Sequence, residues 1–179
     1  MPVVDKPTMQ SFLEEDLYDA LRWLFLGAVV WSASRQLPDR FGRLCVLGML
    51  TSFVQARALY EFFYHNGRGD DARVRDFVPS WDEPESHVFR KYMASRTPAN
   101  KRVFHLVYKR SAHAGGPGHD GPDHLKHQVV EFAKDLRRLT ELLVDRVEPD
   151  FRNSAQSALR KALQEAELEA KHYGITDPL

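Results

Sequence analysis

The sequence predicts an all-α protein, a bundle of four long helices plus one or two short ones, in a single domain over residues 1–179. Apolar residues recur every three or four positions in several long stretches, the period of an amphipathic helix. No segment alternates apolar and polar residues as a half-buried strand does. A chain of 179 residues that is 43% hydrophobic suits one sizeable core.

The first long helix is expected to begin near Ser11, because Glu14 follows three residues later, at the spacing of a capping box. Its buried face is predicted from residues at helical spacing: Leu13, Leu17, Leu21, Leu24, Ala28 and Trp31. The stretch SRQLPDR, which contains Pro38, then ends the helix.

The second long helix is predicted from about residue 40 to about residue 65. One face is expected to carry Leu47, Leu50, Val54, Ala58 and Phe62. Arg57 and Glu61 lie four residues apart, which allows an ion pair on the helix surface.

The middle of the chain is predicted to be an irregular acidic loop, residues 66–86, followed by a short helix over residues 86–95. Phe77, Val78 and Trp81 are too apolar for a free linker, so this loop is expected to pack on the bundle. A further helix is predicted over residues 98–113, and it ends in a Gly/His-rich loop, residues 113–123.

The last two long helices are predicted on either side of Pro149. The first is expected to bury a row of residues at spacings of three and four: Leu125, Val129, Phe132, Leu136, Leu139 and Leu143. The second, residues 151–172, is expected to turn Ala155, Leu159, Ala162 and Ala166 inward, with Gly174 beyond its end. Its Ala-rich side also permits close packing against a partner helix.

Charge is divided unevenly in the middle of the chain. Residues 61–86 contain seven acids and three arginines, whereas residues 88–119 contain seven cations and no acid. The acidic loop either folds against the basic helix and neutralises it, or leaves that helix open to a phosphate-bearing partner. The residues predicted to contact phosphate are Arg96, Lys101, Arg102 and Lys109.

The stretch NKRVFHLVYKR, residues 100–110, is predicted to be an amphipathic helix with a basic stripe. Arg110 falls on its apolar side, where a guanidinium requires an acidic partner. An ion pair is therefore expected with Asp70, Asp71 or Glu61. On the stripe, His105 stands beside Arg102 and Tyr108, an arrangement that allows general-base chemistry at a phosphate.

This stretch, NKRVFHLVY, together with the all-helical pattern, resembles the HEPN superfamily of bacterial toxin and defence proteins. The resemblance implies a ribonuclease in which Arg and His from paired protomers act on the RNA 2′-OH and the scissile phosphate. HEPN ribonucleases have Arg four to six residues before His. Here Arg102 is three and Arg96 nine before His105, and Ala99 stands where the motif needs arginine. The resemblance therefore implies a non-catalytic or diverged member.

The histidine-rich stretch 113–127 offers a second chemistry. His119, Asp120, His124 and His127 are candidate ligands for a divalent metal, although their spacing matches no established zinc pattern. A polar connector that binds metal only adventitiously is the alternative interpretation. Apart from this metal, no cofactor is expected.

The composition excludes several classes. Twenty-five cations balance twenty-five acids, so nucleic-acid binding would require a local patch. The apolar runs are too short to span a bilayer, and Cys45, the one cysteine, cannot form a disulfide framework. The sequence predicts a cytoplasmic, non-enzymatic binding module that uses the basic helix, 98–113, to hold nucleic acid or an acidic protein. Self-association to a homo-oligomer is a further expectation.

Overall fold

The computed structural model describes residues 5–35, 42–64, 72–90, 122–176 and 179. The helices are α1 (Lys6–Ser11), α2 (Leu17–Ser32), α3 (Gly42–Tyr64), α4 (Val74–Phe77), α5 (87–90), α6 (Pro122–Arg146) and α7 (Pro149–His172). A π-helical turn, Phe12–Asp16, joins α1 to α2. No strand occurs in these ranges, and the predicted all-α bundle of four long helices is confirmed.

The first helix begins at Lys6, five residues earlier than the predicted start near Ser11. Asp5 is the N-cap of α1, and its carboxylate accepts a hydrogen bond from the Thr8 backbone N–H at 2.9 Å. Ser11 has α-helical dihedral angles and makes no capping hydrogen bond. The prediction was wrong because a better cap, Asp5 just ahead of Pro7, lies upstream. The buried row of α2 is confirmed from Leu13 to Trp31.

Two glycines set the contact between α2 and α3. A Cβ atom added at Gly27 would overlap the Gly48 carbonyl oxygen and the Ser52 hydroxyl of α3. Ser52 also donates a hydrogen bond to the Leu24 carbonyl at 2.9 Å. Because Gly27 and Gly48 have no Cβ atom, the two helix backbones can approach closely at this crossing.

The face predicted for α3 was largely wrong. Leu47, Val54 and Ala58 point to solvent, while Leu50 is partly buried and Phe62 is buried. The core instead receives Cys45, Met49, Phe53, Ala56, Leu59, Tyr60 and Phe63. Because α3 has no charged residue between Arg43 and Arg57, its hydrophobic pattern does not distinguish inside from outside. The predicted Arg57–Glu61 ion pair is present at 2.9 Å.

The C-terminal helices follow the prediction. α6 buries the predicted row from Val129 to Leu143, whereas the side chain of Leu125 lies outside those described. Two residues, Val147 and Glu148, connect α6 to α7. Ala155, Leu159, Ala162 and Ala166 are buried as expected. This Ala-rich side of α7 lies against α2, so it packs within the chain. Gly174 follows the helix with a φ of 68°.

Residues 72–90 lie on the bundle as a short, largely irregular segment that also contains α4 and α5. Phe77, Val78 and Trp81 are buried, which confirms that this acidic stretch packs on the helices. Trp81 stacks on Phe63 of α3 at 5.7 Å, and the Arg146 guanidinium lies 5.5 Å from the Trp81 ring. Among the described helices, none is long and apolar enough to cross a membrane.

Candidate functional site

The side chains predicted to bind phosphate, perform catalysis or hold a metal lie outside the described residues. These are Arg96, Lys101, Arg102, His105, Tyr108, Lys109, Arg110, His119 and Asp120. The backbone of His124 and His127 belongs to α6, but the side chains of these two residues are not described. Asp70 and Asp71, expected partners of Arg110, lie outside the described residues as well. The structure does describe most of the acidic segment and the point at which the chain enters the basic stretch.

Three of the four described acids in residues 72–90 (Asp76, Glu83 and Glu85, but not Asp82) find partners close by in sequence. Glu83 pairs with Arg75 at 3.3 Å, and Glu85 pairs with Arg90 at 3.5 Å. The Asp76 carboxylate accepts a hydrogen bond from the Arg73 backbone N–H at 2.8 Å and so caps α4. At the end of α3, Glu61 pairs with Arg57. Glu61, Glu83 and Glu85 are thus each paired with an arginine at most eight residues away.

A buried carboxylate fixes the end of this segment to two long helices. Asp135 of α6 is 8% exposed. Its Oδ2 atom accepts hydrogen bonds from the Tyr60 hydroxyl of α3 at 2.9 Å and from the Ser86 hydroxyl at 2.7 Å. Its Oδ1 atom accepts one from the Arg138 guanidinium at 3.1 Å. We call these four residues the Asp135 cluster.

Ser86 connects the Asp135 cluster to α5. Its hydroxyl donates to Asp135 and accepts from the Phe89 backbone N–H at 2.9 Å, so the same atom caps the short helix. The Phe89 ring stacks on Tyr64 of α3, with centroids 3.9 Å apart and an interplanar angle of 7°. The Tyr64 hydroxyl donates to the Pro84 carbonyl at 2.8 Å. The chain is therefore held on the bundle up to residue 90, eight residues before the predicted start of the basic stretch 98–113.

Tyr64 lies in an environment that opposes its ionisation. Burial raises the pKa of its phenol to about 12, and the nearby Asp135 carboxylate adds to the increase. A tyrosine of this kind is a neutral hydrogen-bond donor at physiological pH and serves as structural support. The Asp135 cluster and Tyr64 together position the chain, since the three hydroxyls and both carboxylate oxygens there already have protein partners.

A small cavity of about 330 Å³ lies between the π-helical turn and α3. Its apolar wall includes Phe12, Leu17 and Phe62, and the Asp16 and Glu61 carboxylates belong to its rim. No cluster of three or more metal-ligating side chains occurs in the part of the chain that the structure describes. The side chains of the predicted metal ligands are not among those that the structure describes.

The outward side of α3 is the most apolar exposed surface described. Leu44, Leu47 and Val54 are 54%, 57% and 38% exposed. Thr51 and Ala58 continue the same row at spacings of three and four residues. We call these five residues the α3 seam. A surface of this kind is typical of a contact with another helix.

No protein-family model, curated protein or solved structure matches this chain. Sequence reasoning missed both the α3 seam and the Asp135 cluster. The signal for the seam was the absence of charge over residues 44–56 of a helix. The signal for the cluster was one acid, Asp135, placed between Phe132 and Leu139 in an otherwise apolar row.

Proposed function

We propose that the protein is a non-enzymatic binding module that holds the phosphate backbone of a nucleic acid on the basic stretch 98–113. The observation that carries the proposal is that three of the four described acids in segment 72–90 already have partners close by in sequence. Glu83 and Glu85 pair with Arg75 and Arg90, and Asp76 caps α4. This pairing supports the interpretation in which the acidic segment does not neutralise the basic stretch.

The remaining charge balance favours the same conclusion. Residues 88–119 contain seven cations, and Arg90 is the one paired with Glu85. Six cations therefore follow within residues 91–110: Lys91, Arg96, Lys101, Arg102, Lys109 and Arg110. Sequence-independent attraction to phosphate comes from clustered Lys and Arg of this kind, and it acts locally even when the net charge is zero.

The anchor at residues 86–90 gives this proposal a structural basis. Ser86 and Phe89 fix α5 to α3 and α6 through Asp135 and Tyr64. A binding segment that leaves a fixed point loses less conformational entropy on binding than one attached to a free chain end.

The test measures binding of generic single-stranded RNA and duplex DNA over a series of salt concentrations. We expect affinity to fall steeply with salt, by a slope of roughly 0.7–0.9 per phosphate contact. The variant Lys101→Gln/Arg102→Gln/Lys109→Gln should bind more weakly and show a shallower slope. The matched control is Arg160→Gln/Lys161→Gln/Lys171→Gln, which removes three exposed cations from α7.

Two results would contradict the proposal. One is the absence of binding at low salt, which would direct attention to an acidic protein as the partner. The other is an equal loss of affinity in the α7 control, which would indicate nonspecific attraction to any surface cation. The same samples test the ribonuclease hypothesis, since RNA decay that His105→Ala abolishes would show catalysis in place of binding alone.

A further inference from the structure

The α3 seam has the geometry of one half of a helix–helix interface. Leu44, Leu47, Thr51, Val54 and Ala58 follow each other at spacings of three, four, three and four, the pattern of the a and d positions of a coiled coil. They lie on the side of α3 opposite its buried residues Cys45, Met49, Phe53, Tyr60 and Phe63. A row with this spacing is complementary to another helix that presents its own apolar row.

The described part of the chain contains one surface that meets this requirement. Five large hydrophobic residues are exposed there: Trp23, Leu44, Leu47, Val54 and Leu168. Three of them belong to the α3 seam, whereas Trp23 stands on α2 and Leu168 on α7. Among the helices that the structure describes, the apolar face able to match the seam is therefore the seam itself.

We propose that the α3 seam is a self-association surface on which a second copy of this chain packs its own α3 in antiparallel orientation. Two copies related by a two-fold axis present the same patch to each other, which is the commonest arrangement in soluble oligomers. This surface is separate from the basic stretch 98–113, so self-association neither requires nor follows from nucleic-acid binding.

Charge and side-chain size favour this orientation. No charged residue occurs over residues 44–56, so the two seams meet without like-charge repulsion. With the two-fold axis at Thr51, Leu47 of one copy faces Val54 of the other, and Leu44 faces Ala58. Large residues then oppose smaller ones, which lets the two rows interdigitate. The dipoles of the two antiparallel helices also oppose each other favourably.

Analytical ultracentrifugation over a wide dilution series tests the association. The wild type should change from dimer to monomer on dilution, and Leu47→Glu should raise the dissociation constant at least about tenfold, because a charge would enter the apolar interface. The matched control is Leu168→Glu, which introduces the same charge at a 65% exposed leucine on α7 and should leave the dissociation constant unchanged.

Disulfide cross-linking tests the orientation. Thr51→Cys should form a covalent dimer on mild oxidation, because the two-fold axis brings residue 51 next to its own copy. Leu44→Cys should not, since the two copies of residue 44 would lie about 20 Å apart along antiparallel helices. The wild type is the control, because its one thiol, Cys45, is buried.

Three outcomes would overturn the proposal. A monomer at every concentration, with Leu47→Glu less stable than the wild type, would show that the seam is covered from within the chain. A dimer that is equally disrupted by Leu168→Glu would place the interface elsewhere. Equal cross-linking through Cys at residues 44 and 51 would indicate parallel helices.

Discussion

Replacing Asp135 by alanine removes the acceptor that joins α3, α6 and residue 86. Two hydrogen bonds to this carboxylate come from the buried Tyr60 and Ser86 hydroxyls, and a third comes from Arg138, which is half exposed. Hydrogen bonds to charged groups contribute about 1.5–3 kcal/mol each, and the exposed arginine adds little. Because the two buried bonds share one acceptor, we expect the free energy of unfolding to fall by about 3 kcal/mol.

The assay is urea unfolding followed by far-UV circular dichroism. Tyr60→Phe should lose about 1–1.5 kcal/mol. The double variant Tyr60→Phe/Asp135→Ala should lose less stability than the two single variants added together, because both substitutions remove the same Tyr60–Asp135 hydrogen bond. Asp145→Ala, at an exposed acid near the end of the same helix, is the control and should change stability by at most about 0.5 kcal/mol.

Hydrogen exchange adds a local measurement. In Asp135→Ala the Phe89 amide should exchange faster, because the Ser86 hydroxyl that caps it loses its own anchor. A loss below about 1 kcal/mol in Asp135→Ala, or strict additivity with Tyr60→Phe, would refute the role given to this cluster.

Two more predictions concern packing and pH. Gly27→Ala should destabilise the protein by about 2 kcal/mol in the same urea assay, because its Cβ overlaps a backbone oxygen of α3. In Gly48→Ala the added Cβ would lie 3.2 Å from its nearest atoms. Because alanine also has the better helix propensity, the free energy of unfolding should change by at most about 1 kcal/mol. Equal destabilisation by the two substitutions would contradict the close approach at Gly27. The raised pKa of Tyr64, about 12, contributes stability that is present below pH 10 and lost as pH rises through 12. Tyr64→Phe should remove this contribution to the loss of stability at alkaline pH. In a titration followed by tyrosinate absorbance, the variant should show one fewer tyrosine that ionises near pH 12.

Hydrophobic periodicity predicted the buried face correctly in helices whose charged residues are confined to the opposite side. In α6, polar residues restrict the apolar row to one face, and Val129, Phe132 and Leu136 are buried as expected. In α3, residues 44–56 place no charge on any side of the helix. The hydrophobic pattern alone therefore does not indicate which side is buried. That choice depends on the crossing with α2 at Gly27 and Gly48, a contact between distant residues.

The candidate site shows the same limit of local reasoning. Asp135 stands out in sequence as an acid within an apolar row, but its partners Ser86 and Tyr60 are 49 and 75 residues away. No spacing rule links them. The predicted roles of His105, Arg110 and the histidine-rich loop concern residues outside those described, so they stay predictions.

The two-residue connection between α6 and α7 has a consequence for the order of folding. These helices meet after a very short loop closes, whereas α3 and α6 are separated by residues 65–121. Closing the longer loop costs roughly 3 kcal/mol more in chain entropy. The α6–α7 hairpin should therefore form early, and the bonds between Asp135 and Tyr60 should form late. Asp135 would then determine how long the folded state lasts, with little influence on how fast it is reached.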